Sequence, residues 1–399
     1  MMQAAHVDMA VSPADIGLDG DALDRLRSSV QYDVDSGLNH GAVYLVARGG
    51  KVGYIGTVGH SDLAGGRPAR TDDIFLMMST AKSYTAALVL RLIDRGALRF
   101  QTKVAEVVPE FAVRGKQRVT VAHLLTHTGG TWAGFPPPPP GQWGPDWGDM
   151  DKMTALVSAQ QITHTPGERV IYNPFGSFAI LGEIVRRLDP RERSFREIAR
   201  QELFEPLGMT DSSFGLRLDH PRRVPVRMAE KTPGAAEVAV MESLNVLVDE
   251  GFELPAGMAF STIADVFRFT EMLRNKGTEP ETRTRLLSPA MVDYAYRNHT
   301  GEMSNEFWDF NREARNLADF PANFTYGGGY IRGTGDHLSP LGRLASPASF
   351  GAVGSGSTMW MVDPARDLTF IFLSSGLLEG LNHFIRLERL ADLALASVQ

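Results

Sequence analysis

Strand-forming segments lie at both ends of this chain, and the long middle part shows mainly helical periodicity. Near the start, residues 41–59 read GAVYLVARGGKVGYIGTVG, two β-rich runs joined by a Gly-Gly pair. Glycine supplies the positive φ angles of a tight turn, so this segment predicts a β-hairpin. Near the end, short β-rich runs occupy residues 325–333, 356–364 and 368–376. A single sheet drawn from both termini is the arrangement that buries all of these runs together.

The order of the segments predicts an α/β (α+β) fold. We expect an antiparallel sheet built from both termini and flanked by helices, with an inserted, mainly helical domain. The composite α/β domain is placed at residues 1–75 plus 320–399, and the helical insertion at residues 76–319. Apolar residues recur at helical spacing in residues 19–38, and an amphipathic helix over residues 377–398 is expected to close the chain.

Composition and charge exclude several classes of protein. The chain has 399 residues and a formal net charge of −7, so it lacks the basic surface that binds nucleic acid or anionic membranes. It contains no cysteine, which excludes disulfides, thiolate metal ligands and a cysteine nucleophile. No segment approaches the roughly 20 apolar residues of a membrane-spanning helix. The first residues do not read as a secretory signal, so a cytoplasmic location is expected, with a periplasmic or secreted location as the alternative if a leader was removed. The oligomeric state is left open.

One short segment points to chemistry. Residues 75–86 read FLMMSTAKSYTA, an apolar run followed by Ser79, Lys82 and a helical pattern. Residues three apart on a helix share a face, so these two side chains can touch. An ammonium cannot accept a proton, but burial lowers the pKa of a lysine and turns it into a base. The segment therefore allows two interpretations: a helix start with an exposed lysine, or a serine nucleophile with its base one turn away.

The motifs that follow resolve this choice by resemblance to a family. Ser79-Thr80-Ala81-Lys82 matches the nucleophile motif of the serine β-lactamase-like superfamily, and residues 41–56 resemble its first hairpin. Further family segments stand in the expected order at residues 119–130, 166–185, 204–214, 254–269 and 350–364. The chain resembles the class C β-lactamase and family VIII carboxylesterase side of that superfamily over nearly its whole length. The resemblance implies an acyl-transfer enzyme that uses neither a cofactor nor a metal ion.

The resemblance also implies roles for individual residues. Ser79 becomes the acylated nucleophile, Lys82 its proton partner, and Tyr172 a second general base or acid. A phenol beside an ammonium is expected to have a lowered pKa, because the phenolate gains a counter-charge. The oxyanion hole is expected to consist of the backbone N–H groups of Ser79 and Ser355.

Two departures from the family pattern concern substrate recognition. The second motif reads Tyr-Asn-Pro from Tyr172, so Pro174 stands where the family has a substrate-gripping asparagine, and Asn173 is expected to contact substrate instead. The third motif begins at Ala352, and an alanine cannot pair with a carboxylate as the family's lysine does. Ala352 and Gly354 are expected to line the substrate site. Both departures favour a substrate that is neither a β-lactam nor a peptidoglycan stem.

A loop at residues 131–149 combines a run of prolines with large aromatic side chains. We expect it to form a lid or rim beside the pocket, with Trp132, Phe135 and Trp143 contacting an apolar or aromatic acyl group. A surface linker, or a ligand for a proline-binding module, is the alternative.

His123 and His127 are four residues apart on an expected helix, a spacing that can hold a metal ion. No third ligand stands nearby in the sequence. Packing and loop-anchoring hydrogen bonds are therefore the favoured interpretation of both histidines.

Three functions remain after these arguments. The first is a serine esterase or acyltransferase that forms an acyl-Ser79 intermediate on a small-molecule ester or related acyl substrate. The second is a β-lactamase, a DD-peptidase or a D-amino-acid amidase, against which Pro174 and Ala352 count. The third is a binding protein that kept the fold without catalysis, against which the presence of Ser79, Lys82 and Tyr172 counts.

Overall fold

The computed structural model of the chain describes residues 11–62, 64–131, 145–230, 235–355, 357–378 and 380–399. Its strands are β1 Gly41–Arg48, β2 Lys51–Gly59, β3 Phe75–Leu76, β4 Ser213–Phe214, β5 Arg227–Met228, β6 Ala259–Ser261, β7 Tyr330–Ile331, β8 Phe350–Gly354, β9 Thr358–Asp363, β10 Leu368–Ser374 and β11 Gly376–Leu377. Its α-helices are α1 Gly20–Asp35, α2 Lys82–Asp94, α3 Val104–Val107, α4 Val121–Leu125, α5 Met150–Ala159, α6 Gly176–Arg187, α7 Phe195–Ala199, α8 Ala235–Leu247, α9 Ile263–Arg274, α10 Pro289–Ala295, α11 Asp309–Glu313 and α12 Asn382–Leu395. Short 3₁₀ turns include Pro13–Ile16, Met78–Ala81, Pro109–Phe111, Lys116–Arg118, Pro145–Gly148 and Glu306–Trp308, and Arg200–Phe204 is a π-helical turn.

The main sheet draws its strands from both ends of the chain. Its order is β2-β1-β10-β9-β8-β7, and every neighbouring pair is antiparallel. The hairpin between β1 and β2 turns at Gly49 and Gly50, whose φ angles are 59° and 75°. Both angles lie in the left-handed region that glycine occupies without strain, which is why the turn is tight. The predicted fold class and the predicted hairpin are confirmed.

The two faces of the sheet carry different cores, because side chains alternate along each strand. On β1, Tyr44 and Val46 enter an apolar cluster with α1 and α12. Val43 and Leu45 face the other way and join a larger cluster with α2, α6 and α9. The sheet is therefore covered on both faces, and the closing helix packs against the first one.

The middle of the chain is mainly helical, and α2 packs against α6 at its centre. A small antiparallel sheet of order β3-β6-β4 lies within this part and pairs the residues just before Ser79 with β6. The division into domains at residues 75 and 320 stays a prediction. Within the described ranges, no helix has both the length and the apolar character needed to cross a bilayer.

Candidate active site

A tight turn between β3 and α2 presents Ser79. Met78 has a φ of 49°, in the left-handed region that a residue with a long side chain rarely adopts. A 3₁₀ turn over Met78–Ala81 follows, and the α-helix begins only at Lys82. The helical pattern expected from Ser79 is present, and its first turn is 3₁₀ rather than α-helical. A 3₁₀ turn has three residues per turn, so it aligns Ser79 and Lys82 directly.

Lys82 is buried, with 1% of its surface exposed, and it reaches three oxygen atoms. Its Nζ donates to the carbonyl oxygens of Pro174 at 2.7 Å and Ala256 at 2.6 Å, and it lies 3.0 Å from Ser79 Oγ. Burial lowers the pKa of Lys82 well below its ordinary value. The two carbonyl oxygens can only accept, so each takes one N–H group of Lys82. When the amine is neutral, its lone pair is therefore left to face Ser79.

Tyr172 approaches Ser79 from the other side. Its hydroxyl donates to Ser79 Oγ at 2.6 Å. Burial raises the pKa of the Tyr172 phenol, and the hydrogen bond with Ser79 offsets part of this rise. The expected lowering of this pKa is wrong, because burial, its largest cause, disfavours the charged phenolate. Tyr172 is therefore a hydrogen-bond donor to Ser79, and the proton-accepting role of Lys82 stays a prediction.

Asn173 and Pro174 make contacts in the structure that the sequence did not predict. Asn173 is 2% exposed, and its Oδ1 accepts from the backbone N–H groups of Gly176 at 2.6 Å and Phe175 at 3.2 Å, at the start of α6. Its Nδ2 donates to Thr131 Oγ1 at 3.1 Å. The Asn173 amide therefore binds the backbone at the start of α6. This geometry does not support the expected contact of Asn173 with substrate. Pro174 contributes its carbonyl oxygen to Lys82.

Strand β8 runs past the nucleophile turn and brings Ser355 to its edge. A Cβ built on Gly354 would lie 2.5 Å from the carbonyl oxygen of Met77, so only glycine allows this approach. Thr358 at the start of β9 donates to the same Met77 oxygen at 2.9 Å, which ties the strand pair to the turn. Ser355 follows directly and is exposed. The oxyanion role of its N–H, with that of Ser79, stays a prediction.

Ala352 does not line an open site in this structure. It is fully buried in the larger apolar cluster, and it pairs with Trp360 across β8 and β9. A Cβ on Gly329 would lie 3.1 Å from the Ala352 Cα and 2.1 Å from the Gly351 carbonyl oxygen. The glycine-rich turn before β7 thus lies directly on this part of β8. The expected contact between Ala352 and substrate is not supported by this geometry.

Aromatic side chains surround the Ser79 cluster. Trp132, Phe135 and Trp143 lie outside the described residues, so their predicted contacts stay predictions. Trp147, at the end of the same loop, packs against Phe175 with ring centroids 5.4 Å apart. Phe307 contacts the Tyr172 ring edge to face at 5.5 Å and is 36% exposed.

The two histidines serve the fold through hydrogen bonds, as the favoured interpretation predicted. His123 Nδ1 accepts from the N–H of Thr120 at the start of α4, at 3.2 Å. His127 Nδ1 accepts from the N–H of Asn173 at 3.1 Å, and its ring lies 4.6 Å from that of Tyr172. Burial is the main cause that lowers the pKa of His127 well below its ordinary value. Among the described residues, no group of acidic and histidine side chains is arranged to hold a metal ion.

Sequence reasoning missed two residues that complete this site. Asn305 Oδ1 accepts from the N–H of Tyr172 at 2.9 Å across 133 residues of sequence, and Ala256 supplies a carbonyl to Lys82. A backbone carbonyl leaves no trace in side-chain identity. Asn305 has no neighbouring motif, so periodicity and spacing carry no signal for it.

The fold and this cluster define the class of protein. A serine hydroxyl lies between a buried lysine and a tyrosine hydroxyl, within hydrogen-bond distance of both, which is the arrangement of a serine hydrolase of the β-lactamase-like superfamily.

Comparison with known proteins gives the same result. The family model described as "Beta-lactamase" matches residues 26–395, and the chain belongs to this family. Esterase EstB of Burkholderia gladioli is 30% identical over 86% of this chain and 87% of its own length. Lovastatin esterase of Penicillium rubens is 25% identical over 69% of this chain and 73% of its own length. The crystal structure of a penicillin-binding protein homologue from Caulobacter crescentus superposes with a TM-score of 0.75 at 25% identity, covering 96% of this chain and 99% of the other.

Proposed function

We propose that this protein is a carboxylesterase-type serine hydrolase, or a related acyltransferase, that forms an acyl intermediate on Ser79. One observation carries the proposal: Ser79 Oγ lies 3.0 Å from the buried Nζ of Lys82 and accepts from the Tyr172 hydroxyl at 2.6 Å. A serine hydroxyl is a weak nucleophile unless a base removes its proton, and a neutral lysine within hydrogen-bond distance is such a base. The names of EstB and lovastatin esterase, which are esterases, support the same reaction class.

Acylation follows from these positions. Ser79 Oγ attacks the substrate carbonyl carbon while its proton passes to Lys82 Nζ, and the carbonyl oxygen becomes an oxyanion. The N–H groups of Ser79 and Ser355 are the proposed donors to this oxyanion. The Tyr172 hydroxyl gives its proton to the leaving alkoxide, and the new ammonium of Lys82 balances the phenolate charge. The C–O bond of the leaving group breaks, and the acyl group stays on Ser79.

Deacylation repeats these steps with water or an acceptor alcohol as the nucleophile. The phenolate of Tyr172 takes a proton from the incoming hydroxyl, which attacks the acyl carbonyl carbon. The Ser79 C–O bond breaks, and the lysine ammonium returns its proton to Ser79 Oγ. Whether water or another acceptor completes the reaction decides between hydrolysis and acyl transfer.

The proposed substrate is a small ester with an uncharged acyl group. Ala352 supplies no cation at the position where carboxylate-binding relatives have a lysine, and it is fully buried. Phe307 packs against the Tyr172 ring and is partly exposed, so it adds apolar surface beside the cluster. A cytoplasmic location stays a prediction.

A fluorophosphonate probe tests the nucleophile. We expect covalent labelling of the wild-type protein and none of Ser79→Ala, because the probe reacts only with an activated serine. Equal labelling of both proteins would overturn the assignment. The matched control is Ser83→Ala, on α2 just after the nucleophile turn, which should be labelled like the wild type. The Ser83 hydroxyl donates to the Thr80 carbonyl and is fully buried.

Mass spectrometry of Ser79 narrows the substrate. The protein is exposed to p-nitrophenyl esters, thioesters and β-lactams, and the mass added to the peptide containing Ser79 identifies each acyl group that transfers. Ester acylation without cephalosporin turnover supports the proposal. Turnover of a chromogenic cephalosporin faster than of any ester would replace it with the β-lactamase alternative.

A further inference from the structure

The backbone around Tyr172 is held by three successive hydrogen bonds. The N–H of Ile171 donates to the carbonyl of His127 at 3.1 Å, and the N–H of Asn173 donates to His127 Nδ1 at 3.1 Å. Between them, the N–H of Tyr172 donates to Asn305 Oδ1 at 2.9 Å. Consecutive N–H groups in an extended segment point to opposite sides. His127 therefore binds this segment on one side, and Asn305 binds it on the other.

Asn305 is itself fixed in place. It is 5% exposed, and its Oδ1 also accepts from the N–H of Phe307 at 3.3 Å, at the start of the 3₁₀ turn Glu306–Trp308. The N–H of Glu306 donates to the carbonyl of Val170 at 3.0 Å. The Glu306 carboxylate pairs with the guanidinium of Arg169. The turn is therefore attached to the residues just before Tyr172 at several points.

The Tyr172 ring is confined as well. Phe307 lies against it at 5.5 Å, His127 at 4.6 Å and Phe324 at 6.1 Å. With the ring packed on several sides, the position of the hydroxyl is set by the position of the Tyr172 backbone. A hydrogen bond of 2.6 Å to Ser79 Oγ leaves little room for backbone movement before it breaks.

We propose that Asn305 is a positioning residue, which holds the backbone of Tyr172 so that the phenolic hydroxyl reaches Ser79 Oγ. It touches neither substrate nor Ser79, and acts only through Tyr172. The expected loss of activity rests on the proposed function, in which the Tyr172 hydroxyl contacts Ser79 during acylation. A misplacement of about 1 Å in such a group costs about 100-fold in rate.

The test compares Asn305→Ala with Asn305→Asp, which keeps an acceptor oxygen at the same place. We expect Asn305→Ala to lower kcat for a p-nitrophenyl ester by about 10- to 100-fold with little change in KM. Asn305→Asp should stay within about fivefold of the wild type, because its carboxylate accepts the same N–H groups. Failure of Asn305→Asp to recover the kcat lost in Asn305→Ala would overturn the proposal.

A matched control separates positioning from general loss of stability. Asn245 also bridges to the backbone, since its Oδ1 accepts from Val226 N–H at 2.7 Å and its Nδ2 donates to Val226 O at 2.8 Å. Asn245→Ala should lower the melting temperature and leave kcat unchanged. Equal losses of kcat in Asn245→Ala and Asn305→Ala would show that Asn305 is only structural, and would overturn the proposal.

A crystal structure of Asn305→Ala provides a readout independent of activity. We expect the distance between the Tyr172 hydroxyl and Ser79 Oγ to lengthen beyond hydrogen-bond range, and an unchanged distance would overturn the proposal. If the wild type is inactive on every ester, the proposed function fails. This distance still decides whether Asn305 positions Tyr172.

Discussion

The Nζ of Lys82 donates to the carbonyl oxygen of Pro174 at 2.7 Å, at the position where the family pattern has a substrate-gripping asparagine. A proline there has no amide side chain, yet its backbone still binds the lysine. With Ala256 as the second acceptor, the two carbonyls orient Nζ towards Ser79. The departure in the second motif therefore removes an amide side chain and keeps the position of the lysine amine beside Ser79.

The lowered pKa of Lys82 predicts how the reaction depends on pH. Burial lowers the pKa of Lys82, and the ammonium present below that pKa has no lone pair to accept the Ser79 proton. The rate of fluorophosphonate labelling should rise with pH through this lowered pKa and become constant above it. Stopped-flow or discontinuous labelling over a pH series measures this.

A second buried lysine gives the control for this prediction. Lys116 is fully buried and donates to the carbonyl of Val113 at 2.9 Å. Lys116→Met should keep the pH profile of the wild type, whereas Lys82→Met should lose labelling at every pH. A profile that does not change when Lys82 is replaced would contradict the assigned base.

Removing the hydroxyl of Tyr172 should slow the reaction without unfolding the protein. Tyr172→Phe loses the donor to Ser79 Oγ, and general acid–base groups contribute about 10²- to 10⁴-fold to a rate. We expect a loss of kcat/KM in that range for ester hydrolysis. Tyr84→Phe is the control, because Tyr84 lies on α2 and its buried hydroxyl bonds Ser261 Oγ at 3.0 Å instead. Similar losses in both variants would count against the role of Tyr172.

Gly354 should tolerate no side chain. An added Cβ would lie 2.5 Å from the Met77 carbonyl and 2.5 Å from Thr358 Oγ1, so Gly354→Ala must push β8 away from the nucleophile turn. We expect activity to fall at least about tenfold, because the oxyanion donors separate, and stability to fall by about 1–3 kcal/mol. Gly20→Ala, with no atom within 4 Å of its added Cβ, should change neither quantity. Thermal denaturation and ester kinetics on both variants decide this.

The fold-supporting position of Asn173 predicts a loss of stability before any loss of binding. Asn173→Ala removes the acceptor for the backbone N–H groups at the start of α6, which costs about 1–2 kcal/mol at a helix N-terminus. Asn173→Asp keeps this acceptor and should retain most of the stability. A large increase in KM with unchanged unfolding free energy would instead restore the original expectation that Asn173 contacts substrate.

Asp265 predicts a pH dependence of stability. It is 1% exposed, its Oδ2 accepts from Ser212 Oγ at 2.7 Å and from the Asp211 N–H at 2.8 Å, and burial raises its pKa from 3.8 to about 7. Between pH 3.8 and about 7, the Asp265 carboxyl therefore keeps its proton in the native state and loses it in the unfolded state. Its contribution to stability is complete below pH 3.8 and is lost as the pH rises to about 7.

The variant Asp265→Asn isolates this contribution, because the amide keeps an acceptor and does not ionise. Relative to the variant, the wild type should lose about 4 kcal/mol of unfolding free energy between acidic and neutral pH. Urea denaturation of both proteins over a pH series measures the difference. Parallel curves for the two proteins would contradict a raised pKa at Asp265.

The sequence by itself determined the elements and their order. The two β-rich runs of residues 41–59, with glycine at positions 49 and 50 between them, are sufficient to encode the hairpin, because strand propensity and turn geometry are local properties. Ser79 and Lys82 are three residues apart, so their contact also follows from local geometry. The family motifs placed Tyr172 in the same site, although spacing alone carries no information about a contact across 93 residues.

Only the tertiary structure decided the directions of the pKa shifts of Lys82 and Tyr172, and which residues hold these groups in place. Burial of each group, rather than a lysine charge beside a phenol, sets the direction of both pKa shifts: it lowers the pKa of Lys82 and raises the pKa of Tyr172. From the sequence, Asn173 could be expected to contact substrate. In the folded chain, its side-chain amide binds the backbone at the start of α6 instead. Asn305 joined the site because the turn that follows it packs against the residues before Tyr172. Burial and long-range hydrogen bonds depend on which segments pack together, and residue spacing along the chain does not contain that information.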